Sequence, residues 1–505
     1  MIDNNPGQIP PVGDKVPVAK ISYAGTLSYT KPALAILFFW LFWGDFCYTV
    51  MEAVTVPIMQ LKFAKLDASN TEIGLILGVI PGTLYAILNP IISFKSDRFR
   101  SRWGRRIPFI VFSLPFLVTL LVCLAYGEKI GVWLHGHLGF LLAGISANQV
   151  SILSLGLLFI VYNFFNSFVT STFWYLFNDV VPEYLVARFM AWFRTIGLFS
   201  TSFYSFLILP YSGTHSTEIF LSAAVLYAVG FGLMCRNVRE GEYPPPAPYI
   251  DGRTDTMAAV TTFTRETHAF PHYWYLWLCT FIGQIGGTAS VIGAGNSNLI
   301  FAMFFSLAIG LNIHEIAFIY GFYNITTCVL TPVAGWLADK FHPIRVVYAG
   351  VLINLVVGPM NLIWLFWHPS NNVVFWVTLA INVLVAAPGQ AFGGMWDPPM
   401  LMRLFPRSNY GQFCSTNAVW RTAGGILGSA LVGIFLDSIK GLVGKEQAYY
   451  YLPIWAFLFG LPSFFLFVQL YLSWKRHGGD EAYIAPVLLS IPTPNSPLTP
   501  VGPAV

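Results

Sequence analysis

Four ionisable side chains interrupt long apolar runs: Asp45 and Glu52 in the first run, Arg194 in the fifth and Arg421 in the eleventh. A charge at mid-bilayer costs at least ~2.5 kcal/mol by insertion scales, which makes each of the four a candidate for function. Asp45 and Glu52 are two helical turns apart, on one face and about 10 Å apart along the axis, with Tyr48 between them. Burial disfavours an ionised carboxyl and a nearby guanidinium favours it, so a carboxyl that alternates between wet and closed surroundings can load and release a proton. Asp45 is the expected proton-coupling residue and Glu52 an outer relay. The competing reading is a permanent Asp45–Arg194 ion pair that ties two helices together. The arginines can donate several hydrogen bonds to hydroxyls or to a carboxylate, or form salt bridges and helix-end contacts instead.

Two polar stripes accompany these charges. Asn163, Asn166, Thr170 and Trp174 recur at helical spacing, as do Tyr320, Asn324, Thr327 and Thr331. Amides and hydroxyls pair with sugar hydroxyls and an indole covers an apolar sugar face; the alternative is interhelical glue, worth about 0.6 kcal/mol per contact. Two glycine-rich stretches, Gly283 to Asn298 and Pro388 to Pro399, suit helices that unwind around a solute, although close helix packing uses the same residues. Gln284, Asn296, Asn298 and Gln390 are the polar side chains there.

The elements that must hold these residues follow from composition. Of 505 residues, 56% are apolar and 10% charged, against about 25% charged in a soluble domain, and the charges fall between apolar blocks long enough to cross ~30 Å of hydrocarbon. Spans are expected near 32–61, 71–94, 107–126, 150–178, 189–209, 218–235, 273–308, 315–337, 346–366, 373–396, 411–436 and 450–474. This is an all-α membrane protein of twelve helices. The expected layout is an N-terminal tail 1–31, a six-helix bundle 32–235, a linker 236–272, a second bundle 273–474 and a disordered tail 475–505. With the termini inside, twenty Lys and Arg residues face the cytoplasm, five face outside and two lie within spans, so the positive-inside rule makes both termini cytoplasmic. The six cysteines have neither disulfide nor metal-site spacing, and no cleaved signal peptide is expected.

The halves repeat one another. NPIISFKSDRF (Asn89 to Phe99) aligns without a gap with TPVAGWLADKF (Thr331 to Phe341), and WFRTIG (Trp192 to Gly197) with VWRTAG (Val419 to Gly424), where Trp420 stands beside Arg421. Parallel six-helix repeats around a midplane site are the plan of a rocking transporter. The segments SDRFRSRWGRR (Ser96 to Arg106) and GWLADKFHPIR (Gly335 to Arg345) resemble the loop signatures of the major facilitator superfamily. The stretch Pro81 to Ile110 is similar to the glycoside-pentoside-hexuronide cation symporters, particularly the sucrose/proton group. That resemblance implies that spans 1, 4, 7 and 10 line a cavity, and that Asp97, Arg98, Gly104, Arg105, Arg106, Asp339 and Lys340 act in gating. Asp179 and Asp397, which close spans 4 and 10, are expected to join them through contacts across the halves. The two aspartates of melibiose-type sodium carriers would fall at Tyr85 and Asn89, so that sodium site is absent.

The sequence therefore predicts a secondary transporter for a sugar or glycoside in a plasma or bacterial inner membrane, coupled to protons and functional as a monomer. The expected substrate-binding set is Tyr48, Asn163, Asn166, Thr170, Trp174, Arg194, Gln284, Asn296, Asn324, Gln390, Trp420 and Arg421. No cofactor, metal or nucleic-acid partner is expected, and no nucleophile-base set or phosphate loop suggests an enzyme. The rival readings are a uniporter, a sodium-coupled carrier of another small polar solute, and a membrane sugar sensor that does not transport.

Overall fold

The computed structural model describes residues 22–137, 144–182, 185–243, 264–288, 304–406, 410–444 and 447–486. Helices occupy each of the twelve expected places: span 1 Lys31–Lys65, span 2 Asn70–Arg98, span 3 Ile107–Ala125, span 4 Ala147–Val180, span 5 Val186–Leu207 and span 6 Ser216–Asn237, then span 7 Pro271–Gly287, span 8 Ile313–Phe341, span 9 Pro343–Leu365, span 10 Asn371–Gly393, span 11 Tyr410–Val443 and span 12 Leu452–Arg476. Ten of them are long and apolar enough to cross a bilayer; spans 5 and 7 are the other two. The expected continuation of span 7, with Asn296 and Asn298, lies outside the described residues.

Local sequence explains where the helices start. Ser69 with Glu72, Ser146 with Gln149 and Asn312 with Glu315 form reciprocal capping boxes at spans 2, 4 and 8, satisfying N–H groups that have no intrahelical acceptor. Spans 1, 3, 7, 9 and 12 place a proline in the first turn, where its missing N–H costs nothing. Spans 2 and 10 contain π-helical turns at Leu75–Val79 and Ile381–Ala386, and the turn that follows span 10, Trp396–Met400, breaks at Asp397, whose backbone is extended (φ −114°, ψ 124°). Pro398 follows it, and proline disfavours the helical conformation in the residue before it.

Spans 1–6 and spans 7–12 each pack as a group, and the groups meet where span 2 lies on span 11 and span 5 on span 8. At the first seam Gly433 lies against the backbone of Asn70 and Thr71, so any side chain there would push the helices apart. At the second, the Phe206 ring packs edge-on against the adjoining rings of Phe318 and Phe322, with centroids 6.2 and 5.5 Å away.

Three features depart from the expected layout. The N-terminal segment contains a hairpin, β1 Ser22–Ala24 antiparallel to β2 Leu27–Tyr29, whose turn residue Thr26 accepts the Glu242 N–H at 2.8 Å. An added helix, Gly127–His137, packs along span 4. The segment after span 12 is not a free tail as far as Pro486: residues 479–482 are helical and Tyr273 donates to the Pro486 carbonyl at 3.0 Å.

Candidate functional site

Asp45 is 3% exposed, accepts one long hydrogen bond from Thr49 (3.5 Å), and turns its second oxygen, which has no partner, toward Gly197 of span 5. One and two turns along, Tyr48 and Glu52 reach span 4. The Tyr48 hydroxyl is 2.9 Å from that of Thr170, and Asn166 donates to Glu52 Oε1 at 2.6 Å. Asn166 Oδ1 and the hydroxyl of Tyr227, on span 6, are buried without partners. The two carboxyls do share one side of span 1, as their spacing requires, but they have separate surroundings. The proposed Asp45–Arg194 ion pair is not formed.

Arg194 instead crosses to the other half, where its Nη2 donates to the Asp397 carbonyl at 3.1 Å, and Arg421 Nη1 pairs with Asp397 Oδ2 at 2.7 Å. The break at Asp397 makes this arrangement possible: outside helical geometry, its carbonyl is released from the helix ladder and becomes available to span 5. The repeat-related arginines thus converge on one residue, which the sequence places at a span end without indicating that it would be their shared partner.

The remaining expected binding residues divide sharply. Gln284 packs on Gly424 and Gly425, one turn from Arg421. Trp174 is 39% exposed, with its ring edge-on to Phe193. Gln390 is half-buried on span 10. Asn163 and Asn324 turn back onto their own helices, donating to the carbonyls of Phe159 (2.8 Å) and Tyr320 (2.9 Å). Trp420 points toward the start of span 7 and donates to His268 at 3.2 Å. These three orientations differ from the expected solute contacts because an i−4 carbonyl, or an adjacent imidazole, is a nearer partner. At the positions that resemblance gives to sodium carriers, Asn89 accepts from Tyr175 of span 4 at 2.9 Å.

The ends of the molecule differ. Away from the basic loops, Asp437 of span 11 accepts from the backbone and side chain of Asn70 (3.1 and 2.9 Å) and of Thr71 (2.8 and 2.6 Å), and Tyr449 donates to Asn70 Oδ1 at 2.7 Å. A carboxylate of one half therefore caps the first turn of span 2 in the other, a favourable place for negative charge. The sequence reading missed Asp437 because it lies just past the expected end of span 11.

Among the described residues, the ion pairs of Asp97, Asp179 and Asp339 each stay within one half, whereas the sequence suggested pairing across the halves. Arg105 and Arg106 both pair with Asp179, with Nε–Oδ2 distances of 2.9 and 3.2 Å, and Arg106 also reaches Asp97 and Ser96. The hydrogen bonds that Arg105 donates to Asp179 hold its guanidinium above its ordinary range against partial burial. In the second half Asp339 pairs with Arg403 at 3.6 Å, and Lys340 lies over the Trp336 and Phe341 rings. Arg98 closes span 2 half-buried.

A second, unanticipated repeat completes this end. After span 6, Glu240 accepts the backbone N–H groups of Arg105, Arg106 and Ile107 at 2.9, 2.8 and 2.7 Å, while Tyr243 donates to Glu240 and lies under Arg105. Gly104 has φ +101°, and a side chain there would strike Glu240. After span 12, Asp480 pairs with Arg345, and Tyr483 contacts the Leu404 carbonyl (2.8 Å) and His272 Nε2 (3.0 Å). Acid-x-x-Tyr with proline three residues later occurs at Glu240, Tyr243 and Pro246 and again at Asp480, Tyr483 and Pro486. That spacing was visible in the sequence, but in segments read as linker and tail.

Comparison with known proteins gives a consistent picture. The profile described as Major Facilitator Superfamily matches residues 41–429. No curated protein matches the sequence. Solved structures with the same fold include a bacterial homologue of the human lysosomal transporter Spinster in an inward-facing, unoccupied conformation (TM-score 0.59, 16% identity, 88% of this chain and 99% of that one). They also include a bacterial homologue of the iron transporter ferroportin in an inward-facing state (0.55, 13%, 87% and 98%) and the nucleoside transporter NupG (0.54, 11%, 87% and 99%). At these identities the likeness is one of fold.

Proposed function

The chain belongs to the major facilitator superfamily, and from that premise we propose that it is a secondary transporter that carries a sugar or glycoside with a proton by alternating access. The observation that carries this reading is the polar cluster on span 1. Asp45 Oδ2 is buried without a partner one turn before Tyr48, and Asn166 Oδ1 and the Tyr227 hydroxyl are buried without partners beside the Glu52–Asn166 and Tyr48–Thr170 pairs. Buried polar atoms are ordinarily satisfied, and an ionised oxygen without a partner is costly there. A proton on Asp45 removes that cost, and solute hydroxyls would supply donors and acceptors to the cluster. Glu52, already held by Asn166, serves as the relay.

In this reading the basic loops lie in the cytoplasm and the Asp437 seal closes the outer end. The segments 32–235 and 273–474 are the two rocking units, and one chain suffices for transport. Asp97, Arg98, Gly104, Arg105, Arg106, Asp179, Asp339 and Lys340 keep each unit rigid at its inner end. Arg194, Asp397 and Arg421 form the contact that must break as the units separate.

Uptake of labelled sucrose, maltose and hexoses into proteoliposomes under a pH gradient, a sodium gradient or neither tests the reading. Accumulation above equilibrium with the pH gradient alone is expected. Asp45→Asn should abolish accumulation and leave exchange of internal for external sugar intact; accumulation that survives this change would refute the role of Asp45. Equilibration under every condition would mean uniport.

A further inference from the structure

We propose that Arg194, Asp397 and Arg421 form a subsite for a solute bearing one oxyanion group, a carboxylate or a phosphate monoester, and that Asp397 occupies this subsite until the solute displaces it. The inference deepens the sugar-carrier reading and rests on it. Two guanidiniums, one from each half, meet on one residue that supplies a single carboxylate. Arg421 uses that carboxylate. Arg194 has only the peptide carbonyl, which carries no net charge, so the cluster has one cationic group more than it has anions.

Location makes the excess positive charge consequential. Arg194 lies about 12 Å along span 5 from its basic end and Arg421 about 16 Å along span 11. Charges at such depth normally face a partner or water. Both arginines are exposed, Arg421 with 53% of its side chain accessible against 25% for Asp397. The two forks therefore have donors free to engage a second acceptor. A planar fork matches carboxylate or phosphate oxygens, whereas the hydroxyls of an uncharged sugar give weaker bonds.

The mechanical consequence follows from Asp397 belonging to the second half. While Arg194 holds its carbonyl, the contact between the halves at this point is a guanidinium–carbonyl hydrogen bond without a counter-charge on Arg194. An incoming oxyanion that takes both guanidiniums replaces it with a charged bridge between the units, so binding and closure are coupled. Asp397, released from Arg421, would then be the competitor that returns when the solute leaves.

The test compares glucose, glucuronate and glucose 6-phosphate, which share a ring and differ in carrying no anion, a carboxylate or a phosphate. Counterflow in proteoliposomes and thermal stabilisation of the detergent-solubilised full chain are measured, the latter also with malate and inorganic phosphate. We expect one anionic sugar to be preferred over glucose by about tenfold or more, the preferred anion identifying the oxyanion. Arg194→Gln and Arg421→Gln should each abolish the preference. Asp397→Asn should tighten anion binding several-fold, a gain that misfolding cannot imitate. Equal or better transport of glucose would overturn the inference and leave the sugar reading standing. If no sugar is carried, that reading fails, and stabilisation decides the subsite. Stabilisation by any of the four anions that Arg421→Gln removes retains it, and none overturns it.

Discussion

The clasp after span 6 and the clasp after span 12 have the same acid-x-x-Tyr spacing and the same topological place, yet they hold their halves differently. In the first, Glu240 serves three consecutive backbone N–H groups, and the side chains of Asp179 and Arg106 are only 9% and 6% exposed. In the second, Arg345 and Asp480 are 44% and 37% exposed, and Arg403 and Asp339 44% and 86%. The difference teaches that repeated sequence fixes where a contact forms, while burial sets how much it contributes. The first half is tied at its basic end by desolvated charges, the second by solvated ones that water and salt can replace.

The comparison can be broken most directly at the aspartates. Asp179→Asn leaves two guanidiniums without their shared carboxylate, and we expect a loss of about 3–5 kcal/mol, as for removal of one partner of a buried pair. Asp339→Asn should cost less than about 1 kcal/mol. Reversible unfolding in mixed micelles measures both, and equal losses would show that the halves are held alike. A smaller contrast is expected at the clasp acids: about 1–3 kcal/mol for Glu240→Gln, which weakens three charge-assisted bonds, against a few tenths for Asp480→Asn.

The last contrast concerns pH. His342, the cap of span 9, packs on Trp474, and burial, with Arg403 and Arg345 adding to it, pushes its imidazole down to about 4. Since an unfolded histidine titrates near 6.5, the unfolded chain binds the proton first. Stability should then fall as pH drops from about 6.5 to 4, by about 1–2 kcal/mol once partial exposure is allowed for. His342→Asn should flatten that decline in a series of melting measurements; an unchanged slope would assign it to other groups.

Much of this architecture was legible because its cause is local. The twelve helices follow from apolar block length, their starts from Ser69, Ser146, Asn312 and the first-turn prolines, and the family from the Asp97 and Asp339 motifs. The candidate site was legible in residue type more than in partnership. Asp45, Glu52, Asn166 and Thr170 stood out as polar residues in apolar helices; the structure pairs Glu52 with Asn166 and Thr170 with Tyr48, and leaves Asp45 apart, facing Thr49 and span 5. Asn163, Asn324 and Trp420 stood out equally and found nearer partners.

What the sequence by itself determined is a solvent choice and a repeat: a chain this apolar must satisfy its backbone in helices, and duplicated motifs place duplicated charges at matching depths. Only the tertiary structure decided which charges meet. Arg194 and Asp397 are 203 residues apart, Asn70 and Asp437 367, and no local preference links them. Their pairing depends on a crossing of helices and on one backbone break, whereas helical periodicity specifies a face and leaves open what that face will touch.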